Sequence, residues 1–188
     1  IDEVKKEYVE RINIVGNNIT REEVFRNNFV LDEGDVFNNI LLKKSVNNLN
    51  SLGFFKSVTS KVESGNSESS KIVTIEVEER PTGEITAGAG VGTSGSTIGF
   101  GIKENNFLGK GIQFGSNIEL SDETIRGRLN VHNPNFGGSD ESLNFNIQSS
   151  ETDRLKNFGY KTTKTGFGIG TRFEYYEDFY VAPSFSTY

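Results

Sequence analysis

The stretch Ile75-Glu76-Val77-Glu78-Glu79-Arg80-Pro81-Thr82-Gly83-Glu84-Ile85-Thr86-Ala87-Gly88-Ala89-Gly90-Val91-Gly92 is a seam between two kinds of β-structure. Ile75 and Val77 alternate with Glu76 and Glu78, the pattern of a half-buried strand. Pro81 ends that strand because it has no backbone N–H to offer a neighbour. From Gly83 a second alternation begins, with Ile85, Ala87, Ala89 and Val91 on one face and Glu84, Thr86, Gly88, Gly90 and Gly92 on the other. Composition changes at the same place: 4 of the 21 glycines and 5 of the 15 phenylalanines precede Pro81. The sequence therefore divides into residues 1–80 and 81–188.

In the first part, Tyr8 to Val15 alternates as a strand and Gly16-Asn17-Asn18 turns it. Thr20-Arg21-Glu22-Glu23 has the form of a capping box, so a short helix is expected through Val24 and Phe25. A second helix follows from Asn38 or Asn39, with Leu41, Leu42, Ser45, Val46, Leu49 and Leu52 on one face and Gly53 at its C-terminal cap. Phe54 to Val62 and Ile72 to Glu79 complete the order β-α-α-β-β.

The second part repeats the two-faced pattern. Ile98, Phe100 and Ile102 alternate with Gly99, Gly101 and Lys103, and Ile112, Phe114, Ile118 and Leu120 with Gln113, Gly115, Asn117 and Glu119. Ile125, Leu129 and Val131 oppose Arg126, Arg128 and His132; Leu143, Phe145 and Ile147 oppose Asn144, Asn146 and Gln148. Phe167, Ile169 and Phe173 continue it, making about seven strands of the roughly 9–11-residue kind that membrane barrels use. Charged residues on the polar face suit a wet lumen better than the core of a soluble sandwich. Phe107, Phe136 and the Tyr175, Tyr176, Phe179 group fall at every second connection, as a girdle on one rim would. Asn105 to Lys110 and Asn133 to Asp140 read as compact turns, and Glu151 to Thr163 as a longer loop on the other rim.

Net charge is -6 and no basic run occurs, which argues against nucleic acid as a partner. The chain has no cysteine and one histidine, His132, with neither an esterase elbow nor a zinc-binding helix beside it. No catalytic, metal or cofactor site is expected. Gly90-Val91-Gly92-Thr93-Ser94-Gly95 has the spacing of a dinucleotide loop but is followed by a strand-like alternation instead of a helix. No apolar run approaches the ~20 residues of a membrane helix. The N-terminus lacks a basic region followed by an apolar one, so no signal peptide is expected within the sequence, which reads as a piece of a longer chain.

Val15-Gly16-Asn17, Asn50 to Val58 with its Leu52-Gly53-Phe54-Phe55 turn, and Val77 to Arg80, in that order of elements, resemble a polypeptide-transport-associated (POTRA) domain. With the glycine-rich strand directly after Pro81, the chain resembles the last POTRA domain and the barrel start of the Omp85-type superfamily. The resemblance implies an α+β POTRA domain followed by antiparallel strands of an incomplete outer-membrane barrel, with the POTRA domain in the periplasm of a Gram-negative-type bacterium. It implies folding assistance instead of bond chemistry. Ile85, Thr86, Ala87, Gly88, Ala89, Gly90, Val91 and Gly92 would form one side of a lateral gate that pairs with client strands. Unfolded outer-membrane β-barrel clients, outer-membrane lipoproteins and the bilayer would be the partners, with Glu33 and Gly34 as one lipoprotein contact. A TamA-like or secretion-type transporter, or a passive pore, are the alternatives.

Overall fold

A computed structural model describes residues 6–92 and 95–188. The chain divides into two compact units, Ile1–Thr82 and Gly83–Tyr188.

The first unit holds β1 (Tyr8–Val15), α1 (Glu22–Arg26), α2 (Asn39–Ser51), β2 (Phe55–Ser64) and β3 (Ser70–Glu79). The sheet order is β1-β3-β2, with β1 parallel to β3 and β2 antiparallel to it. Parallel pairing of β1 and β3 requires a crossover, and α1, α2 and β2 supply it. The inward residues of β3, Val73, Ile75 and Val77, pack with Val9, Ile12, Phe25, Leu31, Leu42, Leu49, Phe55 and Val58 in one core. Asn38 caps α2 by accepting from the amides of Ile40 at 2.8 Å and Leu41 at 3.4 Å. Gly53 closes the helix at φ 72°, a left-handed cap that lets Phe54 and Phe55 turn straight back into the core.

The capping box at Thr20 does not form. Arg21 occupies the cap position and makes no side-chain cap bond. A stronger acceptor takes the donors instead: the Glu79 carboxylate receives the amides of Asn18 and Ile19 at 2.9 Å and of Thr20 at 2.7 Å. The buried Thr20 hydroxyl bonds the same carboxylate. Three amides converging on an ionised carboxylate outcompete one hydroxyl capping a five-residue helix. Arg80, the next residue, donates from Nε to the Gly53 carbonyl at 2.7 Å.

The second unit is one antiparallel meander of β4 (Gly83–Gly92), β5 (Gly95–Phe107), β6 (Ile112–Ser121), β7 (Thr124–Asn133), β8 (Ser142–Arg154) and β9 (Tyr160–Tyr176). Two short strands, β10 (Phe179–Val181) and β11 (Ser184–Thr187), both pair with β9. They amount to a seventh strand interrupted at Ala182-Pro183, where proline cannot donate; the Pro183 carbonyl still accepts from Thr171 at 3.1 Å. The expected alternation holds in the ladders. Ala87 faces Phe100, which faces Ile118; Leu129 faces Ile147, which faces Phe167. On the opposite face Asn117 pairs with Arg128, which pairs with Gln148.

The expected loop at Glu151 to Thr163 is instead a continuation of the β8–β9 ladder, from Glu151↔Thr163 to Arg154↔Tyr160. Only the short helix α3 (Leu155–Phe158) and Gly159 connect the two strands. Threonine and charge-paired side chains, such as Lys161–Glu151 at 2.7 Å, read as loop by polarity yet suit an extended ladder in water. The longest connection lies on the other rim, residues 134–141, so the expected contrast of loop lengths is not found here.

Glu79 is drawn in both directions. Desolvation pushes its pKa up, but the Thr20 hydroxyl and the three amides outweigh it and hold the value below the ordinary 4.5. A lowered carboxylate stabilises the fold above its unfolded value and loses that contribution as pH falls through the folded one. Glu79→Ala should destabilise the first unit by about 1–3 kcal/mol. Glu79→Gln should flatten its loss of stability below about pH 4.5. Urea melts across a pH series check both.

Candidate functional site: an exposed strand at the sheet edge

Every buried apolar side chain among the described residues lies between Val9 and Val77, in the first unit. The second unit buries none, although most Ile, Leu, Val and Phe residues of its strands share one face. Ile85 is 82% and Val91 89% exposed, and Phe100, Ile102, Ile118, Ile125, Phe167 and Ile169 are also exposed. A soluble sandwich would cover such a face with a second sheet; a single sheet with a continuous apolar side is made for lipid. Phe107, Phe136, Tyr175, Tyr176 and Phe179 are all exposed at the β5–β6, β7–β8 and β9–β10 connections. In a meander those three connections share one rim, so they form the girdle the sequence suggested.

Among the described residues β4 pairs with β5 alone. All ten of its residues are exposed. It pairs with β5 without a register shift, through ten successive pairs from Gly83↔Glu104 to Gly92↔Gly95. Ile85, Ala87, Ala89 and Val91 share the apolar face; Thr86, Gly88, Gly90 and Gly92 share the polar one. A side chain at Gly88, Gly90 or Gly92 would meet nothing within 4 Å. Opposite them stand Gly99, Thr97 and Gly95, so these pairs lack most of the side-chain contact worth ~0.2–1 kcal/mol each in an ordinary ladder. Backbone bonds alone hold β4 there. Thr86 adds one long hydrogen bond, from Oγ1 to the Gly101 carbonyl at 3.5 Å. The glycine-loop motif lies across the β4–β5 connection, and its Thr93 and Ser94 lie outside the described residues.

Glu33 and Gly34 have internal work. The Glu33 carboxylate accepts from the Ile12 amide at 2.9 Å and pairs with Arg26 at 3.4 Å. The Ile12 amide, against the opposing pull of desolvation and with help from Arg26, lowers its pKa. The Gly34 amide donates to the Val9 carbonyl at 2.7 Å, Val9 donates to Asp35, and Phe37 donates to Glu7. Residues 34–37 thus cover part of the outer edge of β1. The outer edge of β2 is the open one, since the order ends there.

The sequence pattern of Glu76, Glu78 and Glu79 reads as strand carboxylates solvated by default, but Glu79 accepts the Asn18, Ile19 and Thr20 amides; two further groups, Asn106 and the turn Asp122-Glu123, were not singled out from the sequence. Asn106 is buried at the β5–β6 connection and accepts from the Gly111 amide at 2.8 Å. Its signal was available, as asparagine beside Gly109 and Gly111 is turn chemistry. His132 hydrogen-bonds Asn144 across the polar face at 2.6 Å.

A one-faced antiparallel wall with an aromatic rim defines an outer-membrane β-barrel protein, here carrying a small β-α-α-β-β module ahead of its first strand. Residues 7–80 match the POTRA family, described as surface antigen variable number repeat, and residues 106–187 match the Omp85 superfamily domain. The chain thus carries a POTRA domain and an Omp85 superfamily domain, and it is an outer-membrane protein with its POTRA domain in the periplasm. It is 29% identical over 175 residues to the outer membrane protein assembly factor BamA of Neisseria meningitidis serogroup B, covering 90% of this chain and 22% of that protein. The structure of BamA from Haemophilus ducreyi lacking POTRA domains 1–3 superposes with a TM-score of 0.79 at 26% identity, over 96% of this chain and 35% of that one. CdiB from Escherichia coli shares the fold at a TM-score of 0.58 and 17% identity, over 89% of this chain and 32% of that one. The chain thus spans about a fifth of the length of the curated relative.

A β-branched side chain at a bare position should tighten the edge. Gly90→Val is expected to slow hydrogen exchange of the β4 and β5 amides by about fivefold, equivalent to ~1 kcal/mol. Gly115→Val, at an interior position with equally open space, should leave β4 exchange unchanged.

Proposed function

We propose that this chain is part of a BamA-like assembly factor that inserts β-barrel proteins into the outer membrane, with β4 as the template for a client strand. The observation that supports the reading is β4 itself: ten residues in unbroken register with β5, with open space beside Gly88, Gly90 and Gly92. An unpaired edge offers N–H and C=O groups that another strand can take up. In hydrocarbon those groups have no water to satisfy them, so an incoming strand gains more there than it would in solution. Backbone bonding is also indifferent to client sequence.

Weak pairing serves the second half of the cycle. A client must leave the edge once its own barrel closes, and an edge with bare glycines gives it up more readily than one lined with interlocking side chains. The apolar stretch Ile85 to Val91 rises roughly 20 Å along the strand. That is shorter than the ~30 Å hydrocarbon core, and tilt shortens it further, so the bilayer would thin beside the seam. The POTRA unit would receive clients along the open edge of β2 and dock a lipoprotein near the Glu33-Gly34 loop.

The shared wall of CdiB keeps a TamA-like or secretion-type transporter as the alternative, because the fold alone serves both. Reconstitution of the full-length protein in liposomes with its partner lipoproteins separates them. Insertion of an unfolded client barrel into protected, folded form is expected, and Gly88→Val/Gly90→Val should lower its rate by about tenfold. Normal insertion by that variant would remove β4 from the mechanism, and release of clients into the lumen without membrane insertion would favour the transporter.

A further inference from the structure

The rim opposite the aromatic girdle carries a side-chain arrangement that the template reading leaves unexplained. There the β6–β7 turn consists of Asp122-Glu123, made tight by Ser121, whose Oγ accepts from the Thr124 amide at 3.0 Å and donates to its carbonyl. The two acidic residues face opposite ways. Asp122 Oδ2 accepts from the Ser96 amide at 3.1 Å, on the first hairpin. It also closes over Gly95 so tightly that a side chain there would collide with the carboxylate. Glu123 Oε2 accepts from Arg154 Nε at 2.7 Å, Glu123 Oε1 from Asn157 Nδ2 at 3.3 Å, and the Glu123 carbonyl from the Asp153 amide at 2.8 Å.

Each of these bonds lies just beyond the end of a ladder. The last β5–β6 pair is Thr97↔Ser121 and the last β7–β8 pair is Thr124↔Thr152. Asp122 extends the first ladder with a side-chain acceptor, and Glu123 extends the second. The neighbours differ in how far they are paired and packed. The β8–β9 arm is paired out to Arg154↔Tyr160 and ends in α3, with Arg154 lying over the Phe158 ring at 5.6 Å. The β4–β5 hairpin is the glycine-rich edge.

We propose that Asp122 and Glu123 are positioning residues, a clasp that braces the far tip of the template hairpin against the paired β8–β9 arm and so fixes the register in which β4 meets a client. The clasp rests on the template reading for its purpose but not for its geometry. A glycine-rich strand with one bare face has a weakly specified register, and a slip of one residue turns every client side chain to the wrong face. Bracing the tip removes that freedom while leaving the outer edge of β4 open.

The test uses the full-length protein in liposomes, spin-labelled at Thr97→Cys and Thr162→Cys, four strands apart, roughly 19 Å. A narrow distance distribution is expected. It should broaden in Asp122→Ala and in Glu123→Arg, stay narrow in Asp122→Asn, which keeps an acceptor, and narrow again when Glu123→Arg is combined with Arg154→Glu. Crosslinks from single cysteines on β4 to a client strand should spread from one register to its neighbours in the broadened variants and return to one register in the swap. Equal widths in all variants, or no recovery in the swap, would overturn the clasp. Distances that behave as expected in a protein whose unmodified β4 never crosslinks to a client would leave the clasp standing and overturn the template reading instead.

Discussion

Backbone hydrogen bonding in a medium without water is the constraint on which the second unit depends. It has no buried apolar side chain among its described residues, so no core holds it. What holds it is the continuous ladder from β4 through β9 to β10 and β11, with the apolar face given to lipid. Such a wall is stable wherever a strand has two neighbours. Where a strand has one, the same constraint becomes a demand for another strand. In the proposed reading β4 meets that demand with a client strand, and its bare glycines keep its own pairing with β5 light.

The POTRA unit follows the opposite rule. Its stability comes from one packed core contributed by both helices and all three strands. Polar groups there stitch loops to the ends of strands. Glu79 gathers the β1–α1 connection, Arg80 holds the α2–β2 turn, and Glu33 covers an open amide of β1. One chain thus solves the solvent problem twice, by burying apolar groups in the first unit and by displaying them in the second.

Period-two alternation made most of this legible. Because a strand has only two faces, Ile85, Ala87, Ala89 and Val91 had to share a side, and each later strand repeated the choice. Pro81 marked the boundary for the same local reason that Pro183 splits the last strand. The side-chain partners of isolated carboxylates were not legible. Thr20 to Glu23 satisfied the spacing of a capping box, but Glu79, 59 residues away from Thr20, supplies a stronger acceptor that no local pattern announces. Glu151 to Thr163 looked like loop because polarity was read as irregularity, whereas a ladder that leaves the membrane stays regular and merely changes its side chains. A gate role for β4 is implied only through family resemblance, since alternation does not say which strand pairs with which.

The central claim is that β4 pairs with clients along its length in a fixed register. With no native cysteine, single cysteines placed from Ile85 to Val91 in the full-length protein can be matched against single cysteines in the terminal strand of a client barrel, with disulfides mapped in cells during assembly. A ladder in which each position on β4 finds one partner, stepping in opposite directions along the two strands or in the same direction for parallel pairing, is the predicted result. Clients that crosslink to the POTRA unit but never to β4 would contradict the account and return β4 to the role of an ordinary wall strand.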